Sequence, residues 1–185
     1  MGTEEKKNVI QAFKTNYIGP VGPFINKFEK NLSKYTQVKY SAAVQSGTAA
    51  IHLALRLLEV KTGDIVLCQS LTFIGSCNPI NYQNAVPVFI DSEKETWNIC
   101  PDALETAIKY YLNKGIRPKA IIVVHLYGMP AKMKEIEYIA NRYEIPLIED
   151  AAEALGSTYK GQKCGTFGDY GILSFNGNKR TPFYL

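Results

Sequence analysis

An α/β fold, a mostly parallel sheet with helices on both faces, is what this sequence predicts, and three observations carry the prediction. Short apolar runs recur at residues 65–68, 86–90, 120–126, 146–148 and 170–175, rich in Val and Ile. Runs of that length without polar alternation suit strands that are buried on both faces. Between them lie stretches whose apolar residues return at helical spacing, so strand and helix alternate and right-handed crossovers follow.

Taken in order, about the first ten residues are mostly polar, and 1–16 form an N-terminal arm. Gly19, Pro20, Gly22 and Pro23 make 17–23 irregular, and 24–35 places Phe24, Phe28, Leu32 and Tyr35 on one helical face. Residues 38–45 alternate as a short strand. Ser46 to Ala50 turn that strand into a helix with Ile51, Leu55 and Leu58 on one face and Leu53 and Leu57 beside it. A strand at 65–68 leads through a loop into a helix within 70–82, and a second strand follows at 86–90. Pro101 suits the first position of a helix, with Asp102 in its first turn, Leu104, Ile108 and Leu112 along one face, and Gly115 ending it. Strand 120–126, a helix at 133–143 with Ile136, Ile139 and Ala140 inward, and strand 146–148 complete the pattern up to Glu149 and Asp150.

Composition narrows the function classes. The 185 residues, 46% of them hydrophobic, suffice for one substantial core. A net charge of +4 is spread along the chain without a basic stripe, which argues against nucleic-acid binding. No apolar run approaches the ~20 residues of a membrane helix. The opening MGTEEKKN lacks an apolar segment of signal type, so the expected location is cytoplasmic. Cys68, Cys77, Cys100 and Cys164 form no C-x-x-C pair, and His52 and His125 stand far apart, so reduced thiols and no metal site are expected.

Two stretches carry candidate chemistry. Asp150 and Lys179 each follow an apolar run, at the carboxyl ends of strands where ligands of open α/β sheets gather. An amine that can form a Schiff base and a carboxylate that can face a ring nitrogen suit a pyridine-ring cofactor. Separately, the small residues at 46–50 leave the first turn of a helix open to an anion, with hydroxyls at Ser46 and Thr48. The same residues also make an ordinary helix cap. Glu149 is expected to face solvent or a partner helix, and Phe73, taken alone, suits a core position. No G-x-G-x-x-G follows any strand, so the dinucleotide fingerprint is missing.

Six motifs in series, SGTAAIHLAL, SLTFIGSCNPI, PVFIDSEKETWNICPDAL, HLYGMPAKM, IEDAAEALGSTYKGQKCGTFGD and SFNGNK, resemble the DegT/DnrJ/EryC1/StrS family of sugar aminotransferases that use pyridoxal 5'-phosphate (PLP). The resemblance covers residues 17–179. It implies the N-terminal part of the large domain of fold type I, the aspartate aminotransferase-like fold, with the C-terminal domain absent and 180–185 a tail outside the family pattern. It implies Lys179 as the Schiff-base lysine, Asp150 at the pyridinium nitrogen, backbone amides of Thr48 and Ala49 with Ser174 at the phosphate, and Phe73 over the ring. Glu153 falls where many relatives carry glutamine, beside the phenolic oxygen, and a charged acid there favours the protonated lysine or imine.

The nearest resemblance is to members that aminate C4 of UDP-linked 4-keto-6-deoxy-N-acetylhexosamines for surface polysaccharides and glycans. Glutamate as amino donor and a homodimer are implied with it, and a lysine at 179 favours transamination over the dehydratase branch, which has histidine. Because relatives continue well past the position of Lys179 while this chain reads Arg180-Thr-Pro-Phe-Tyr-Leu185, it is expected to be truncated, and two function classes stand. One is the aminotransferase. The other is a folded remnant that binds PLP weakly, or dimerises, without turnover.

Overall fold

A computed structural model describes residues 2–175; Lys179 and the 180–185 tail lie outside the described residues. The described chain forms two compact units, residues 2–43 and 44–175.

The first unit holds helices α1 (Thr3–Thr15) and α2 (Pro23–Thr36). No residue of α1 is buried, and its acids Glu4 and Glu5 sit in the first turn, where they complement the helix dipole. In α2 the buried face runs through Leu32 and Thr36, whereas Tyr35 is exposed; Thr36 Oγ1 donates to the Leu32 carbonyl at 2.7 Å. The expected strand at 38–45 is absent. Its backbone is committed elsewhere: Glu29 Oε1 accepts the Ala43 N–H at 2.8 Å, and Ser41 Oγ donates to the Glu29 carbonyl at 2.6 Å. Period-2 alternation makes a strand only where a ladder partner exists, and here α2 takes the donor that a ladder needs.

The second unit is a fully parallel five-stranded sheet flanked by helices, with a small antiparallel hairpin. Its elements are helix α3 (Gly47–Leu57), β1 (Ile65–Gln69), α4 (Asn78–Tyr82), β2 (Val86–Ile90), α5 (Pro101–Asn113), β3 (Ala120–Val124), α6 (Met133–Tyr143) and β4 (Leu147–Asp150). The hairpin β5 (Thr158–Tyr159) and β6 (Gln162–Lys163) precedes β7 (Tyr170–Ile172). The sheet order is β2-β1-β3-β4-β7, every pair parallel. Strand β3 stops at Val124, two residues short of the expected end, because a 3-10 turn, Leu126–Gly128, begins there with Tyr127 at φ 51°. Pro101 does occupy the first turn of α5, and Gly115 beyond its end has φ 74°.

Two cores, one on each face, follow from strand alternation. Ile65, Leu67, Ile121, Val123 and Leu147 pack with Leu104 and Ile108 of α5 and with Met133, Ile136 and Ile139 of α6. Val66, Cys68, Ala120, Ile122, Ile148 and Ile172 pack on the other face with Ile51 and Leu55 of α3 and Ile80 of α4. Successive residues of a strand point to opposite faces, so Glu149 and Asp150, the last two of β4, must part company. Asp150 shares the α3/α4 face with Ile148, and Glu149 shares the α5/α6 face with Leu147.

Candidate functional site

On the α3/α4 face, at the carboxyl end of the sheet, four loop or helix starts converge. Ser46 caps α3 by accepting the Ala49 N–H on Oγ at 3.1 Å, and its carbonyl accepts the Ala50 N–H at 3.0 Å. The cap therefore already holds the Ala49 donor, while the N–H groups of Gly47 and Thr48 and the Thr48 hydroxyl have no hydrogen-bond partner among the described residues. Orphan first-turn donors with the positive end of an 11-residue helix behind them favour an anion.

Ser174 lies against this turn: a methyl group built on Gly47 would meet the Ser174 Cβ at 3.4 Å. The 3-10 turn Ile74–Ser76 closes the other side. Gly75 is buried, and a Cβ there would stand 2.9 Å from both the Phe73 ring and Thr48 Oγ1, so glycine is what lets these two approach. Phe73 itself is 77% exposed, which rules out the core position that it suits when taken alone. Its ring stands beside Thr48, open to cover a bound ring.

Asp150 completes the cluster. It is 6% exposed; its Oδ2 accepts from Ser76 Oγ at 2.7 Å and its Oδ1 from the Ala152 N–H at 3.1 Å. Asp150, Thr48 and Phe73 thus lie against the turn at 74–76, and Ala49 and Ser174 stand at the first turn of α3. Glu153 is exposed beyond Asp150, with Oε2 accepting the Tyr127 N–H at 3.2 Å. Lys179 lies outside the described residues.

The opposite side of β4 holds what sequence reasoning missed. Glu149 is fully buried, not solvent-facing: Oε1 takes N–H donors from His125 Nε2 at 2.6 Å and Gly165 at 2.5 Å, and Oε2 takes those of Phe167 at 2.8 Å and Gly168 at 3.3 Å. His125 Nδ1 accepts the Ala131 N–H at 3.0 Å, which leaves the ring proton on Nε2 and the imidazole neutral. Cys164 joins them, one ligand atom from each residue within 4.8 Å of the others. Metal-ligand residue types meet here, yet both imidazole nitrogens and both carboxylate oxygens are engaged. Burial and the nearby Glu149 charge push the Cys164 thiol up to about 12, so it stays protonated. The trio anchors the 163–168 loop that feeds β7. A carboxylate in an otherwise apolar, doubly covered strand was the available signal, because such a group must collect donors.

The model of the DegT/DnrJ/EryC1/StrS aminotransferase family matches residues 1–182. EpsN of Bacillus subtilis (strain 168), provisionally named a pyridoxal phosphate-dependent aminotransferase, is 57% identical over 179 residues, 97% of this chain and 46% of that protein. The GDP-perosamine synthase of Escherichia coli O157:H7 is 43% identical over 176 residues, 95% of this chain and 47% of that protein. Spr1654 from Streptococcus pneumoniae, provisionally named a sugar aminotransferase and solved in a PLP form, has a TM-score of 0.80 at 30% identity, over 91% of this chain and 45% of that one. The fold is accordingly that of PLP-dependent aminotransferases, and the chain spans less than half the length of the curated relatives it matches.

Proposed function

The chain belongs to the DegT/DnrJ/EryC1/StrS aminotransferase family, and from that premise we propose that its site takes pyridoxal 5'-phosphate and serves transfer of an amino group from glutamate to a nucleotide-linked keto-deoxy sugar. The observation that carries this reading is the single turn at 74–76, which joins Asp150 through Ser76 and Thr48 and Phe73 through Gly75. The donor set suits the group: orphan N–H groups and two hydroxyls for a phosphate, an exposed aromatic for a ring face, and a buried carboxylate for a ring nitrogen. When bound, the cofactor supplies an electron sink in its protonated ring.

The chain's own residues do the rest. Thr48 and Ser174 hold the phosphate at the start of α3, and Ala49, its N–H committed to Ser46, lends the small side chain that keeps this turn open. Phe73 excludes water from one ring face. Asp150 holds the proton on the ring nitrogen. Lys179 would be the amine that holds the cofactor's aldehyde, with loss of water, and the base that carries the proton of the transferred group, a task for which lysine suits because its amine can be nucleophile and base in turn. Glu153 stands near the phenolic oxygen. Residues 17–179 belong to the cofactor-binding domain, with 1–16 an arm, and the working form is a cytoplasmic homodimer. Among the described residues no helix is long and apolar enough to cross a membrane.

The nucleotide is UDP in the reading from sequence motifs, while the match to GDP-perosamine synthases favours GDP. Turnover of glutamate with UDP-linked and GDP-linked 4-keto-6-deoxy sugars decides between them. A visible absorbance band on adding pyridoxal phosphate, lost in Lys179→Ala, is the expected outcome for cofactor binding. If the band forms and neither sugar turns over, the protein is a binding module rather than an enzyme. In Glu153→Gln the pH at which the band titrates is expected to fall, and an unchanged pH removes Glu153 from its assigned place.

A further inference from the structure

Ser76 is 2% exposed and its hydroxyl proton is committed to Asp150 Oδ2 at 2.7 Å. A hydroxyl has one proton to give, so in the second bond of Ser76 Oγ, at 2.9 Å to Thr72 Oγ1, Thr72 is the donor, its proton favouring this bond over the longer 3.4 Å contact with the Phe73 carbonyl. The proton order is therefore Thr72 to Ser76 to Asp150, and each bond polarises the next. The terminal torsion of an aspartate is broad, so the plane of its carboxylate is set by what binds it. Here two donors from separate elements grip separate oxygens, Ser76 on Oδ2 and the Ala152 N–H on Oδ1. Nothing in the local sequence of β4 supplies the hydroxyl, which arrives from 74 positions earlier in the chain.

We propose that Ser76 is a positioning residue for the ring-nitrogen contact: its hydroxyl, backed by Thr72, holds the Asp150 carboxylate in the orientation that a protonated pyridine nitrogen demands. The role rests on the reading of Asp150 as the partner of that nitrogen. A purely structural serine, one that only satisfies a buried polar group, makes a different prediction, since its loss loosens the site for every ligand alike. The ring nitrogen itself separates the two.

The experiment titrates the full chain, wild type and Ser76→Ala, with pyridoxal phosphate and with its analogue in which a carbon replaces the ring nitrogen, following protein fluorescence. Ser76→Ala is expected to weaken pyridoxal phosphate about tenfold, in keeping with loss of one hydrogen bond to a charged group. The carbon analogue is expected to lose less than about twofold, since it has no nitrogen for Asp150 to hold. Ser76→Thr, which keeps the hydroxyl, restores the discrimination. Equal weakening of both ligands, or no weakening of either, overturns the proposal. Should Ser76→Ala fail to fold, Thr72→Val carries the same comparison, with about a threefold selective loss expected and equal loss again overturning it. A wild-type chain that binds neither ligand removes the cofactor reading itself, and the role of Ser76 falls with it; that result is distinct from a loss confined to the variant.

Discussion

Glu149 and Asp150 are neighbours in sequence, both buried, both acidic, and they end the same strand. Glu149 is held by three backbone N–H groups and an imidazole, all drawn from loops beneath the α5/α6 face. Asp150 takes the hydroxyl of Ser76, from the turn that also gathers Thr48 and Phe73, and the N–H of Ala152, two residues further on. If Asp150 partners a ring nitrogen as proposed, the difference separates a structural acid from one kept for a ligand. Backbone donors lock the first to one fixed loop, whereas a side-chain relay at an exposed aromatic aims the second.

Breaking the Glu149 side should cost the most. Glu149→Ala strands four donors, the buried His125 among them, and its unfolding free energy is expected to fall by about 4 kcal/mol, read from the urea midpoint. A loss below about 1 kcal/mol would mean that the loop finds other acceptors and that Glu149 is not its anchor.

Gly171 probes the same anchor from β7. A Cβ there would lie 1.9 Å from the Gly165 carbonyl oxygen, so Gly171→Ala must push away the loop whose Gly165 N–H binds Glu149. About 2–3 kcal/mol of destabilisation is expected by the same assay.

Asp150→Asn sharpens the contrast by inverting the balance of effects. Stability is expected to drop by about 1 kcal/mol, while affinity for pyridoxal phosphate falls at least about tenfold in a fluorescence titration. Equal standing of the two carboxylates would instead show as a large stability loss with cofactor affinity unchanged.

A third carboxylate gives the smallest effect and a pH signature. Burial by itself raises the Glu93 carboxyl, but the Thr96 hydroxyl, the N–H groups of Glu95 and Thr96 and the Lys132 ammonium outweigh it and hold it at about 2, against an ordinary 4.5. A depressed value stabilises the fold above pH 4.5 and is lost as the pH falls toward 2. The stability gap between wild type and Glu93→Gln, about 1 kcal/mol near neutrality, should therefore close across that window in acid unfolding curves. A gap that widens on acidification would reverse the assignment.

Most of the scaffold was legible before any coordinates. Helix α6 spans the expected 133–143, and the inward positions Leu104, Ile108, Ile136 and Ile139 are buried as their spacing requires. These are local properties: apolar periodicity and turn residues act over a few positions of the same chain. The failures share a cause. Alternation at 38–45 has the local form of a strand, but its Ala43 donor goes to Glu29. Glu149 looked like a polar strand end because its donors come from residues 16 to 24 positions away.

By itself, then, the order of residues determined the alternation of strand and helix, the two apolar faces, and which side chains stand at strand ends to be used. Only the tertiary structure decided which of two adjacent acids turns inward to the loops, and which hydroxyl steadies the other. Periodicity is carried by the chain next door to each residue, whereas a buried charge is settled by donors that folding brings from afar.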